Sequence, residues 1–285
     1  MAPIPAERWF FAALYVPVGV PHADLHVHTE RSDGTLAFED VPGAARRAGV
    51  AVVALTDHDR LQPALGAPVT VHEGVTVVHG IELRVEAAEQ RLDLLGYGVD
   101  PTLALEAEVD RLQADRRARG AAIIERVEDR LGVVLGLEAR DGLGRPHVAR
   151  AIADHPDAPY DYEGAFEHLI GDGGPCFVPR NVTPYATGRA LLGEAAALVG
   201  LAHPFRYPDP EAALALAGDL DAVERWYPYG RAVDAGPVER AIEAHGLLAT
   251  GGSDAHGDRL GVEGVPAAAY DAIAARLPPP AVDGG

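Results

Sequence analysis

Ala23-Asp24-Leu25-His26-Val27-His28 decides how this chain is read. It is a short apolar run that ends in metal-binding side chains, and the chain repeats that plan. Residues 50–55 lead into Thr56-Asp57-His58-Asp59, and residues 75–78 into His79-Gly80-Ile81-Glu82. Residues 91–95 carry Asp93 and stop at Gly96, and 197–202 end in His203-Pro204. Residues 222–227 contain Glu224, and 247–250 end in Gly251-Gly252-Ser253-Asp254-Ala255-His256. Short, nearly unbroken apolar runs of this kind are strands buried on both faces.

Helical patterns separate several of them. Residues 38–48 are closed by Gly49, and 187–198 follow Pro184. Residues 234–245 have Pro237 in the first turn and Gly246 just past the end, the usual asymmetry of helix termini. Residues 266–277 stop at Pro278-Pro279-Pro280. Strand–helix alternation predicts parallel strands and an α/β fold. Functional residues gathered at strand C-termini predict a barrel.

Residues 102–131 break the alternation with a long helical pattern, and more helix is expected at 148–153 and 162–170. The organisation expected is a barrel of residues 23–99 and 176–277, interrupted by a helical insertion at 100–175. Residues 1–22 read as an extension outside the barrel, and 278–285 as a disordered tail.

Composition narrows the function. The net charge is −19, all 24 basic residues are arginine, and 48% of the chain is hydrophobic. That is ample for a core, and it argues against broad electrostatic binding of nucleic acid or anionic membrane. The single cysteine, Cys176, excludes a disulfide framework or a cysteine-rich metal site and reads as a buried small residue. The acidity and the absence of lysine predict adaptation to high salt. The compartment expected is the cytoplasm.

His26 and His28 lie two apart on a predicted strand, so they face the same way, about 6.6 Å apart along it. Asp33 follows in Ser32-Asp33-Gly34, a turn able to swing a carboxylate back over the strand end. His58, Glu82, Asp93, His203, Asp254 and His256 collect at the other strand ends. Imidazoles with carboxylates suit Mn²⁺, Zn²⁺ or Fe²⁺ rather than Ca²⁺.

Five segments in order carry a resemblance: Asp24-Leu-His-Val-His-Thr with Ser32-Asp33-Gly34, Leu55-Thr-Asp-His-Asp59, Gly80-Ile-Glu82, Ala202-His-Pro204 and Gly252-Ser-Asp-Ala-His256. Together they resemble the PHP (polymerase and histidinol phosphatase) superfamily of metal-dependent phosphoesterases. The resemblance implies a distorted (β/α)₇ barrel, here with the helical insertion. Within the family the chain is most similar to the 3′,5′-nucleotide bisphosphate phosphatases and 5′→3′ exoribonucleases, through the insertion, Arg145-Pro-His147 and Phe177-Val-Pro.

The resemblance implies two or three divalent ions, Mn²⁺ foremost. His26, His28, Glu82 and Asp254 would hold the first. Glu82 and His203 would hold the second, where the family commonly adds a histidine and this chain has Asp93. Asp33, His58 and His256 would hold the third. Glu82, His203 and Asp59 are the expected catalytic residues, Asp59 as general acid or else as the partner of a ligand histidine. Arg145, His147 and Arg206 would bind phosphate, with an insertion–barrel salt bridge as the other reading of the first two.

Activation of water by metal predicts in-line hydrolysis of a small phosphorylated substrate or a short RNA 5′ end, without long nucleic acid or membrane as partner. Two further readings are a phosphatase of another metabolite, such as histidinol phosphate, and a metal-binding regulatory domain without turnover.

Overall fold

The computed structural model describes residues 20–87 and 90–281. Most of the expected N-terminal extension and the last four residues of the tail therefore lie outside the described residues. In chain order the strands are β1 (Ala23–Val27), β2 (Val52–Leu55), β3 (Val69–His72), β4 (Val75–Ala87), β5 (Gln90–Val99), β6 (Thr183–Pro184), β7 (Ala196–Leu201), β8 (Ala222–Trp226) and β9 (Leu248–Gly251). The helices are α1 (Val41–Ala48), α2 (Leu103–Leu131), α3 (Arg145–Asp154), α4 (Tyr162–Ala165), α5 (Tyr185–Ala195), α6 (Pro210–Ala215), α7 (Gly236–His245) and α8 (Ala267–Ala274).

The sheet runs in the order β1-β2-β4-β5-β7-β8-β9, with β3 and β6 as side partners of β4. Every residue of β1 and β2 is buried, which is what their unbroken apolar runs require. The two ends of the path meet. Val27 bridges in parallel to Ala255, and the His28 N–H donates to the Ala255 carbonyl at 2.9 Å. The result is a nearly closed, barrel-like sheet with both ligand-bearing ends of the chain at the closure.

One expectation is corrected. The strands are not all parallel: β5 runs antiparallel to both β4 and β7. The chain passes from Ala87 to Gln90 between β4 and β5, far too short a link for a crossover of a dozen or more residues. This reversal carries Asp93, near the start of β5, to the rim that the other strands reach with their ends. Asp93 lies opposite Arg84 in the β4–β5 register.

Helix ends follow local chemistry. Gly49, Gly132 and Gly246 close α1, α2 and α7 in the left-handed conformation, where a side chain would be strained. Thr102 caps α2 by accepting the Leu105 N–H.

The 29-residue α2 belongs to two bodies. Leu105, Val109 and Leu112 join the barrel core, whereas Ile123, Ile124 and Val127 join a second core with Leu143, Val148, Ile152, Leu169 and the buried Cys176. α2–α4 thus hold a small core of their own between β5 and β6. At the other end, Ala281 donates its N–H to the Val69 carbonyl, so the first residues of the expected tail lie along β3.

Candidate metal centre

Six strands (β1, β2, β4, β5, β7 and β9) bring side chains on them or just past their ends to one point on the rim. Alternation along β1 puts His26 and His28 on the same face, both fully buried, with ring centroids 5.1 Å apart. Glu82, in β4, reaches between them. Its Oε1 lies 3.5 Å from His26 Nε2 and 3.0 Å from His203 Nε2. Its Oε2 lies 3.5 Å from His28 Nε2 and 2.5 Å from His58 Nδ1. One buried carboxylate therefore meets four imidazoles. Asp254 Oδ1 approaches His26 Nε2 at 3.5 Å and His28 Nε2 at 3.0 Å. Asp33 faces His256 at 3.4 Å and His58 at 3.9 Å.

The ligand-type atoms fall into three overlapping groups, each within 4.8 Å: His28, Asp33, His58 and His256; His26, His28 and Glu82; Glu82, Asp93 and His203. These groups hold eight of the nine side chains expected at the centre, with His28 shared between two of them rather than confined to one, and the ninth, Asp254, lies against His26 and His28.

Neighbouring carboxylates hold these side chains in place. His26 donates from Nδ1 to Glu224 Oε1 at 3.1 Å, which leaves Nε2 facing the centre. Glu224 Oε2 also accepts the His203 N–H at 2.7 Å. Asp57 accepts from the Thr29 N–H and from the hydroxyls of Thr29 and Ser32, pinning the turn that carries Asp33. Asp24 accepts from Ser253 N–H, Ser253 hydroxyl and Gly261 N–H, lashing the Asp254 loop to β1. Asp59, His203 and Asp254 all have positive φ, at 51°, 24° and 51°. Strained backbone of this kind persists where surrounding contacts over-determine it.

The donor set fits divalent cations. His26 Nε2, both ring nitrogens of His28, Glu82 Oε2, Asp33 Oδ1 and His203 Nδ1 are buried without a hydrogen-bond partner, which is costly unless something else satisfies them. Burial pushes the His58 pKa down, but Glu82, Asp33 and Asp93 outweigh it and raise His58 to about 9. The carboxylate field that raises His26, His58 and His256 is the field that draws in a cation.

The other expected residues divide. Arg206, on the exposed rim, donates to Asp254 Oδ2 at 3.0 Å and to the Tyr227 hydroxyl at 2.8 Å. Tyr227 itself donates to Asp254 Oδ2 at 2.6 Å. Both border a groove of about 490 Å³ with Phe205, Tyr229 and Arg231. Arg145 pairs with Asp172 at 2.7 Å and lies over Phe166 and Phe177, all in the α3–β6 region. His147 accepts the Gly144 N–H at Nδ1; burial lowers its pKa, and Asp33 is close enough for its charge to act on it.

Asp59 touches no ligand histidine through its carboxylate. It accepts from Arg116 at 2.6 Å, from Arg180, and from the Arg84 N–H at 3.0 Å. Burial alone would raise its pKa, but Arg180 and Arg116 win and hold it well below the usual carboxylate range.

Sequence reasoning assigned no role to Arg84, Arg116, Arg180 or Asp24, and Glu224 was noted without one. Glu224 had a signal, a lone carboxylate inside an apolar run. Arg116 and Arg180 had none, because their shared partner Asp59 lies far away along the chain, whereas Arg84 meets Asp93 only through the β4–β5 register.

A barrel rim that gathers imidazoles and carboxylates around one buried glutamate has the make-up of a metal-dependent hydrolase. The chain belongs to the PHP family: the PHP domain profile matches residues 24–168. It is similar to a phosphoribosyl 1,2-cyclic phosphate 1,2-diphosphodiesterase of Eggerthella lenta, 28% identical over 82% of this chain and 94% of the relative. It is also similar to a 3′,5′-nucleoside bisphosphate phosphatase of Chromobacterium violaceum (26%; 82% and 86%) and a 5′-3′ exoribonuclease of Haemophilus influenzae (27%; 65% and 69%). Among solved structures, a Bifidobacterium adolescentis protein provisionally assigned as a metal-dependent phosphoesterase shares the fold. Its TM-score is 0.75 at 22% identity, over 93% of this chain and 99% of that one.

Proposed function

We propose that the enzyme hydrolyses phosphate esters of nucleotides, the substrate being either a 3′,5′-bisphosphonucleotide or a short 5′-phosphorylated RNA. The observation that carries the reading is the single carboxylate of Glu82 among four imidazoles. The bisphosphate phosphatase and exoribonuclease among its relatives supply the substrate class.

His26, His28, Glu82 and Asp254 would hold one ion, and Asp33, His58 and His256 another, with Glu82, Asp93 and His203 as a third set. Bound divalent ions, with Mn²⁺ preferred, activate water and neutralise phosphoryl charge. The chain does the rest. Glu224 fixes the tautomer and orientation of His26. Arg206 and Tyr227 stand beside Asp254 at the mouth, where a guanidinium fork suits a phosphate oxygen pair. Asp59 stays ionised, so it positions Arg116 and Arg180 rather than giving up a proton.

Among the described residues no helix is long and apolar enough to cross a membrane. The −19 charge supports a salt-rich cytoplasm as the setting and small or short substrates as the partners. The test is a panel of adenosine 3′,5′-bisphosphate, 5′-phosphorylated RNA, histidinol phosphate and p-nitrophenyl phosphate, assayed with Mn²⁺ at high salt. Fastest phosphate release from the bisphosphate, or stepwise shortening of the RNA, supports the reading. Preference for histidinol phosphate rejects it, and no turnover on any substrate leaves a metal-binding regulatory domain.

A further inference from the structure

We infer that the guanidinium of Arg84 supplies the positive charge at the corner formed by Glu82, Asp93 and His203, where it holds an oxygen of the reacting phosphoryl group in place of a third ion. The inference rests on the reading of the centre as one that hydrolyses phosphate esters, and it holds whichever nucleotide is the substrate.

Arg84 and Glu82 lie two apart on β4 and so share a face. Across the sheet Arg84 stands opposite Asp93 of β5, and its Nε and Nη2 donate to the two oxygens of that carboxylate. Asp93 is itself fixed. Its N–H donates to the Tyr207 hydroxyl at 2.9 Å, and its carbonyl accepts the Ala202 N–H at 3.0 Å. Asp93 Oδ2, which Arg84 Nη2 reaches at 2.6 Å, lies 3.7 Å from His203 Nε2. That nitrogen is 3.0 Å from Glu82 Oε1. The guanidinium therefore stands one hydrogen bond from this group of ligand atoms.

Only part of the guanidinium is spent. Nε and Nη2 serve Asp93, while Nη1 makes no hydrogen bond among the described residues. The Arg84 side chain is 37% exposed, whereas the Asp93 side chain that holds it is 1% exposed. A buried carboxylate thus presents a partly exposed fork with donors left for an anion, and arginine forks match phosphate oxygens.

The same corner is poor for a cation. Both Asp93 oxygens are taken by Arg84, and a divalent ion between Glu82 and His203 would lie beside a positive charge. Negative charge on a phosphoryl oxygen meets the opposite situation. It finds a donor already oriented by Asp93, with no rearrangement needed as the charge grows.

Inorganic phosphate is the probe. Its affinity is measured by titration calorimetry on protein given about two equivalents of Mn²⁺ and on protein in excess Mn²⁺. The wild type should bind phosphate equally well in both. Arg84→Ala should bind it at least about tenfold more weakly at the lower loading, through loss of a charge-assisted contact, and recover in excess Mn²⁺ as an ion enters the vacated corner. Because Arg84→Ala leaves the buried Asp93 unpaired, Arg84→Ala/Asp93→His provides a second variant. Its imidazole needs no counter-charge and suits the ion, so this protein should retain about one more Mn²⁺ than the wild type after desalting. Phosphate affinity at the lower loading that is unchanged in both variants overturns the inference and leaves the phosphate-ester reading standing. A wild type whose phosphate affinity climbs in excess Mn²⁺ overturns it as well. No phosphate binding by the metal-loaded wild type overturns both.

Discussion

Arg84 grips Asp93 with two parallel hydrogen bonds, Nε to Oδ1 at 2.7 Å and Nη2 to Oδ2 at 2.6 Å. Asp93 is buried, so this fork–fork pair is strong. It also spends both carboxylate oxygens at the position where the resemblance implied a histidine ligand. A cation bound by Glu82, Asp93 and His203 must compete with a guanidinium already in place.

The expected consequence is a centre that keeps two ions firmly and a third weakly. Elemental analysis after desalting should find about two metals per chain, since ligand charge and availability set affinity. Arg84→Ala, which frees Asp93, should raise the retained count. Three firmly held ions in the wild type would show that the ion pair opens on loading.

Asp59 gives a second expectation. Asp59→Asn leaves Arg116 and Arg180 without their buried counter-charge. Breaking one side of such a cluster costs about 3–5 kcal/mol, to be read from urea denaturation. The pH profile separates this from proton donation. A general acid must be protonated to act, so activity would fall as pH rises through its pKa. Asp59 is held ionised far below neutral pH. Loss of the alkaline limb of kcat in Asp59→Asn would restore it as the acid.

His79 sets an acid limit on stability away from the metal centre. Burial lowers its pKa from 6.5 to about 4, and its Nε2 accepts the Gln62 N–H. Between these values the unfolded chain binds a proton that the folded chain refuses, so stability falls as pH drops from about 6.5 toward 4. Full expression of the shift amounts to about 3 kcal/mol. Denaturation of wild type and His79→Gln at several pH values should show a flatter acid slope in the variant; identical slopes would place the acid sensitivity elsewhere.

Much of this was legible in the sequence because burial writes itself locally. β1, β2, β7 and β9 are short apolar runs with ligands on them or past their ends, so that part of the rim could be assembled by listing run ends. Strand direction leaves no such trace. β5 has the same apolar texture as its neighbours, and only the short link from Ala87 to Gln90 gives away its reversal. The arginine pair on Asp59 was less legible still. Arg116 and Arg180 lie 57 and 121 residues from Asp59, and their meeting depends on how α2 packs across the barrel. Arg145 pairs with Asp172 and lies over Phe166 and Phe177, contacts that depend on how α3 packs and that its motif does not spell out.

Barrel closure supplies the last prediction. A Cβ on Gly252 would sit 2.4 Å from the His26 backbone nitrogen and 2.4 Å from its Cβ. Gly252 therefore allows the loop carrying Asp254 to lie directly on β1. Gly252→Ala must push the two apart, because backbone cannot rotate away as a side-chain tip can. The shift would strain the Ser253–Asp24 hydrogen bonds and draw Asp254 away from His26 and His28. Overpacking of this kind typically costs about 1–3 kcal/mol, which a well-buried barrel of this size should survive folded. The expected result is a folded protein with a modest loss of stability, weakened metal retention and a steep fall in turnover. Gly66→Ala, where an added Cβ meets nothing within 4 Å, is the matched control. A Gly252→Ala protein with full metal content and activity would mean that the closure has slack and that Asp254 is not placed by it.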